Sequence, residues 1–266
     1  MNIGRYNEHA SNTSGVRPVF QYGNPFDQMR YIEALRYVKR KDVLDIACGI
    51  GWGSYLFAKA EARSVTGIDI SMEALDSARK YYSDSGISYL LGKADAIPCD
   101  TSSFDCIVTL ETLEHVKNPK AFLRELHRVG RSRALLILST PNGDCLKMHK
   151  NDKPYDPYHF DEYSKEDLDQ MISVDWEIIE YKGQGLVDSQ SGDLLRYRRW
   201  IKNYWAASKA KRKYGDCGMV LFKIMQKLGI KNCIRPEIVG GFSPSRINVE
   251  GMIPTYHFYV CRSKGK

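Results

Sequence analysis

The chain contains no run of about eighteen apolar residues, so a simple membrane-spanning helix is not expected. It contains no CxxC pair either. Its cysteines, at 48, 99, 106, 145, 217, 233 and 261, are scattered and odd in number. That spacing argues against a disulfide framework and a structural zinc site, and makes a reducing cytoplasm the expected home. The opening MNIGRYNEHASNTSG has no apolar centre, so a secretory signal is not expected there. Internal repeats and low-complexity tracts are missing too, which excludes solenoids and disordered linkers as the main architecture.

What is present is a chain of 266 residues, 43% of them apolar, enough for one sizeable core or for a core with an insertion. Acid is scarce in one place. Between Leu194 and Arg235 there are twelve Lys/Arg and one acid, Asp216, a net +11. The remainder holds 27 basic and 31 acidic residues, −4, within the overall +7. The basic character therefore belongs to one segment, which favours a local contact patch over a general nucleic-acid-binding surface.

Residues 1–26 read as a loose or clamping segment. From Asp27 to Lys41, apolar positions 29, 32, 35 and 38 recur at helical spacing, with Asp27 placed to cap. Strands are expected at 43–46, 64–70, 87–92, 104–110, 133–141, over WEIIEYKG from Trp176, and at 255–262. Helices are expected through WGSYLFAKA, through SMEALDSARKYY with Ser71 as cap, through PKAFLRELHRV opening on proline, and through SKEDLDQMI opening on a capping box. Strands and helices alternate until the last two strands. The fold class is therefore α/β, a doubly wound, mostly parallel sheet with helices on both faces. Residues 27–185 plus 254–266 form this body, and 186–253 insert between the sixth and seventh strands with helices of their own.

The first strand runs into VLDIACGIGWGS, where Gly49, Gly51 and Gly53 let a ligand approach the backbone beyond the strand ends. Asp69 ends the second strand and can accept hydrogen bonds from ribose hydroxyls. So far this suits any adenosine cofactor, because GxGxG alone is weakly specific. Asp45 narrows the choice. A pyrophosphate would be repelled beside it in a partly dry site, whereas a ligand carrying an ammonium and a sulfonium would be stabilised. S-adenosylmethionine carries both. Asp95, after the third strand, would offer an acceptor to an adenine amino group.

Taken in order, VLDIACGIGWGS, GIDIS, ADAIP, FDCIVTLETLEHV and LLILSTPNG resemble the class I S-adenosylmethionine-dependent methyltransferases, particularly their small-molecule branch. The resemblance covers roughly residues 30–180. It implies a Rossmann-like seven-stranded sheet of order 3-2-1-4-5-7-6 with the seventh strand antiparallel. It also implies that Asp45, Ala47, Gly49 and Gly51 surround the methionine part and that Asp69 holds the ribose. Ile70 would pack on adenine, Asp95 with Ala96 would read its edge, and Glu111 would lie near the ligand.

Methyl transfer needs an aligned acceptor and a place for its proton. His115 in ETLEHV and His159 in YDPYHFDEYS both follow strands on the ligand side and are the candidate bases. Their alternative roles are a backbone contact for His115 and a brace to Asp161 or Glu162 for His159. Tyr22, Tyr155 and Tyr158 are candidate pocket walls. PYHxxEYS segments resemble those of glycan and natural-product tailoring enzymes, which implies a hydroxyl acceptor. Glu111, Glu114 and His115 would share one face if helical and could hold Mg²⁺, as the resemblance to ubiquinone-biosynthesis O-methyltransferases also implies.

The segment 194–235 mixes Arg/Lys with Tyr and Trp. Val220, Leu221, Ile224, Met225 and Leu228 recur at helical spacing while Lys223, Lys227 and Lys231 take another face. It could cover the active site as a lid, lie on an anionic membrane surface, or grip a lipid-linked glycan. Single-stranded nucleic acid is a weaker option, because ETLEHV lacks the Asp/Asn-Pro-Pro-Tyr pattern of amino-directed methylases. A cofactor-binding pseudo-enzyme serving a protein partner is the reading from outside enzymology.

Overall fold

The computed structural model describes residues 25–147, 158–188 and 252–265. Helix α1 (Pro25–Ala34) and a 3₁₀ turn (Leu35–Tyr37) lead into β1 (Asp42–Ile46). Then follow α2 (Trp52–Lys59), β2 (Ser64–Asp69), α3 (Met72–Tyr81) and β3 (Ile87–Leu91). After β4 (Phe104–Leu110) come a 3₁₀ turn (Leu113–His115), α4 (Pro119–Val129) and β5 (Gly130–Pro141). The last elements are α5 (Gly143–Lys147), α6 (Lys165–Ile172), β6 (Trp176–Asp188) and β7 (Met252–Ser263).

The helix starts follow local chemistry. Ser71 Oγ accepts from the Ala74 amide at the head of α3, and Asn118 Oδ1 accepts from the Ala121 amide ahead of Pro119. Ser164 and Asp167 form the reciprocal capping box of α6. Asp27 is not a cap. It lies in the first turn of α1, where it pairs with Arg30.

The strands form one seven-stranded sheet of order β3-β2-β1-β4-β5-β7-β6. Strands β1 to β5 pair in parallel, and β7 runs antiparallel to both β5 and β6. The sequence pattern ends β6 at Gly183 and begins β7 at Thr255. In the sheet their pairing continues to Asp188↔Met252, because two strands already in register extend each other past residues with little strand preference of their own.

Alternate residues of the central strands bury against opposite layers. Leu44, Ile46, Ile107, Leu136 and Leu138 share a core with Phe122, Leu126, Leu168 and Trp176. Val43, Val65, Val108 and Ile137 pack with Ala34, Val38 and Phe57. Both faces are thus covered, the arrangement parallel strands require. The strand order reverses between β1 and β4, which pair as Val43↔Cys106 and Asp45↔Val108. Their carboxyl ends open side by side at this reversal, the place where doubly wound sheets bind ligands. The segment 194–235 and Tyr22 and Tyr155 lie outside the described residues. Among the described residues no helix is long and apolar enough to cross a membrane.

Candidate active site

The chain leaves β1 through three left-handed residues, Ala47 (φ 61°), Gly49 (φ 54°) and Gly51 (φ 81°). Gly51 permits a close approach: a Cβ there would overlap the Tyr89 ring and the Ala78 side chain. At Gly49 a Cβ would meet nothing within 4 Å, so this side of the turn is open. Ala47 is exposed at the same turn and holds a backbone conformation that non-glycine residues adopt at some cost. Asp69 fastens the turn to the next strand. Its Oδ2 accepts from the Gly49 amide at 2.8 Å and its Oδ1 from the Ser71 amide at 2.9 Å. Each carboxylate oxygen retains a lone pair for a further donor.

Asp45 lies beneath the turn, buried, with Oδ2 accepting from Ser54 Oγ at 2.6 Å. Burial pushes its pKa up to about 7; the Ser54 hydrogen bond works against this, and the charge of Asp69 adds to it. Two carboxylates therefore flank the glycine turn. Beyond β2, Ile70 is 56% exposed and Met72 49% exposed, apolar surface at the strand end that a flat ring could cover. Asp95 and Ala96 are exposed in the turn after β3, which a Lys93↔Ala96 bridge closes.

On the β4 side the chain turns again through a left-handed residue, Glu111 (φ 52°). Its Oε1 accepts from Ser139 Oγ at 2.9 Å and its Oε2 pairs with Arg30 at 3.3 Å. Arg30 is fully buried. It donates to Gln184 Oε1 at 2.6 Å, pairs with Asp27 and lies 4.3 Å from the centre of the Tyr256 ring. Its Nε has no acceptor among the described residues. Sequence reasoning missed Arg30, because an acid and a base three apart in a first helical turn look like a solvated pair. Glu114 is buried too, with Oε2 accepting from Thr140 Oγ1 at 2.8 Å. Burial raises its pKa well above the usual range, and the neighbouring Glu111 raises it further. The Glu111 pKa is also raised by burial, against the pull of Arg30.

The two histidines come together, 4.8 Å between ring centres and nearly perpendicular. His115 Nδ1 lies 3.1 Å from the Tyr158 carbonyl, and His159 Nδ1 lies 2.6 Å from Glu162 Oε1. Both contacts named as alternative roles from the sequence are therefore made. The Phe160 amide donates to the Glu114 carbonyl at 2.7 Å, pinning the loop after β5 to the turn after β4. Ligand atoms of Glu114, His115 and His159 all lie within 4.8 Å of one another. Of the residues expected to share a cation from the sequence, Glu114 and His115 belong to this cluster, while Glu111 faces Arg30.

A doubly wound sheet with an acid-flanked glycine turn at its reversal and an exposed apolar step beside it has its ligand-binding crevice there. Residues 44–138 match the family described as methyltransferase domain. A probable S-adenosylmethionine-dependent methyltransferase of Mycobacterium tuberculosis is 30% identical over 132 residues, 50% of this chain and 47% of that protein. A ubiquinone biosynthesis O-methyltransferase of Actinobacillus pleuropneumoniae is 36% identical over 109 residues, 38% of this chain and 46% of that one. The chain thus spans about half the length of these curated relatives. The solved structure of an S-adenosylmethionine-dependent methyltransferase from Mesorhizobium loti shares the fold, with a TM-score of 0.54 at 16% identity over 89% of this chain and 99% of that one. Residues 44–138 thus carry the methyltransferase-domain match, and the sheet around them has the fold of that solved enzyme.

Proposed function

We propose that this protein transfers a methyl group from S-adenosylmethionine to a hydroxyl of a sugar, glycan or other small molecule. The observation that supports this most is the turn after β1, where Asp69 accepts from the Gly49 amide and the buried Asp45 accepts from Ser54. Such a turn suits a cationic ligand and repels a diphosphate. The cofactor fits the residues present. Arg30 Nε, buried and without an acceptor among the described residues, can take a carboxylate oxygen, and Asp69 the ribose hydroxyls. Ile70 offers a face to the adenine, with Asp95 and Ala96 at its edge.

Bound there, the cofactor supplies an electrophilic methyl carbon with a thioether leaving group. An imidazole nitrogen of the His115–His159 pair would accept the proton of the acceptor hydroxyl, and the cofactor held at Asp69, Ile70 and Asp95 would supply the methyl group. The basic segment 194–235, net +11, is suited by composition to an acceptor tethered to an anionic lipid surface. Incubating the full chain with labelled cofactor and lipid-linked glycans in anionic vesicles tests the reading. Label is expected in the glycan, with turnover at least tenfold lower in His115→Ala or His159→Ala. Near-normal turnover in both variants would remove the imidazole role. Label in no hydroxyl acceptor, with the cofactor bound, would favour a pseudo-enzyme. Protein that remains apart from the vesicles at low salt would remove the lipid-surface role.

Asp45 makes binding depend on pH. A carboxyl whose pKa is raised to about 7 in the free protein holds a proton that its unfolded counterpart releases near 3.8. Its ionisation therefore takes stability from the free protein as pH rises from about 4 to 7. A bound ammonium favours the ionised form, so cofactor affinity is expected to rise about tenfold from pH 6 to pH 8. Calorimetry at the two pH values checks this, and Asp45→Asn should flatten the profile. A flat wild-type profile would show that Asp45 does not meet the ammonium.

A further inference from the structure

We propose that Glu114, His115 and His159 bind a divalent transition-metal ion, of the zinc, iron or cobalt class, through one carboxylate oxygen and two imidazole nitrogens. The inference rests on reading this end of the sheet as the acceptor site, and in the ion-bound protein it makes the two rings ligands in place of proton acceptors. It also departs from the sequence expectation in both membership and metal. His159 takes the place of Glu111, and two imidazoles beside one carboxylate suit a borderline ion better than Mg²⁺, which prefers oxygen.

The hydrogen bonds prepare the rings for this. His115 Nδ1 faces a carbonyl and His159 Nδ1 faces a carboxylate. Both partners only accept, so each Nδ1 carries the hydrogen and the lone pair lies on Nε2. A carboxylate or carbonyl behind the far nitrogen is the usual support of a metal-binding imidazole. Glu114 is steadied in the same way by Thr140. Ligands and supports come from two segments: Glu114 and His115 from the turn after β4, and Tyr158, His159 and Glu162 from the segment before α6. The Phe160 amide holds the two segments together.

One donor atom from each of Glu114, His115 and His159 lies within 4.8 Å of the others. Metal bonds of about 2.1 Å place neighbouring ligand atoms roughly 3 to 3.5 Å apart, so closing on an ion asks for about 1 Å of side-chain rotation. Asp27, Glu111, Glu114 and Glu162 bring four carboxyls to this end of the sheet, with the Arg30 guanidinium beside Asp27 and Glu111. Bound there, such an ion supplies Lewis acidity that lowers the pKa of a coordinated hydroxyl.

The test titrates the full chain, first stripped with a chelator, with Zn²⁺ by calorimetry and with Co²⁺ by visible absorption. One ion per chain and a Co²⁺ d–d band are expected. His159→Ala should weaken binding at least about 100-fold and Glu162→Gln about tenfold. Binding of S-adenosylhomocysteine, the demethylated cofactor, is measured on the same samples and reports folding and the cofactor site separately. Three results would overturn the metal site: no stoichiometric binding by protein that binds S-adenosylhomocysteine, binding that survives His159→Ala, or a sulfur charge-transfer band marking cysteine ligation. A wild-type chain that takes up the ion but not S-adenosylhomocysteine would overturn the methyltransferase reading instead.

Discussion

Asp69→Ala is expected to weaken binding of S-adenosylhomocysteine by a factor of roughly 100 to 1,000. The Asp69 carboxylate would accept from two ribose hydroxyls, and hydrogen bonds to a charged group contribute about 1.5 to 3 kcal/mol each. It also holds the glycine turn, through the amides of Gly49 and Ser71, so its removal loosens the surface on which the ligand sits. These contacts lie at a part-exposed turn beyond the strand ends, so the fold should survive. Far-ultraviolet circular dichroism should therefore match the wild type while calorimetric affinity collapses. A dissociation constant within threefold of wild type would mean that the ribose does not sit at this acid.

The second large effect is on stability. Arg30 is fully buried and connects α1 to Glu111 beyond β4 and to Gln184 of β6. Arg30→Met keeps most of the side-chain volume and removes the charge, which leaves Glu111 without its counter-ion. Breaking one side of a buried pair costs about 3 to 5 kcal/mol, a large share of the stability of an ordinary domain. Urea denaturation should show the midpoint falling with an unchanged slope. Adding Glu111→Gln to the variant should restore part of the loss, because the stranded carboxylate is then gone. Equal midpoints for wild type and Arg30→Met would show that the guanidinium is not a structural hub, and would leave only a ligand-facing role for it.

Much of the fold could be read along the chain, because a doubly wound sheet writes itself locally. Val43, Leu44 and Ile46 make an apolar strand buried on both faces, and Ser71, Pro119 and Ser164 announce helix starts with their own side chains. Asp27 was misjudged as a cap because capping depends on where the backbone turns, and the helix already includes Pro25. The ends of β6 and β7 were misjudged because each strand is extended by its partner. The glycine turn was legible for the same local reason: Asp45, Gly49, Gly51 and Asp69 lie within 25 residues of one another.

The sequence by itself determined the order of strands and helices, the glycine turn and the acids that flank it, since each depends on neighbours a few positions away. Tertiary structure alone decided how Arg30 and the two histidines gather at the ends of β4, β5 and β6. Arg30 reaches Gln184 across 154 positions, and His115 meets His159 across 44. No local pattern encodes such meetings. They exist because packing helices on both faces of one sheet brings the ends of β4, β5 and β6 together, and burial then requires each charge gathered there to find a partner.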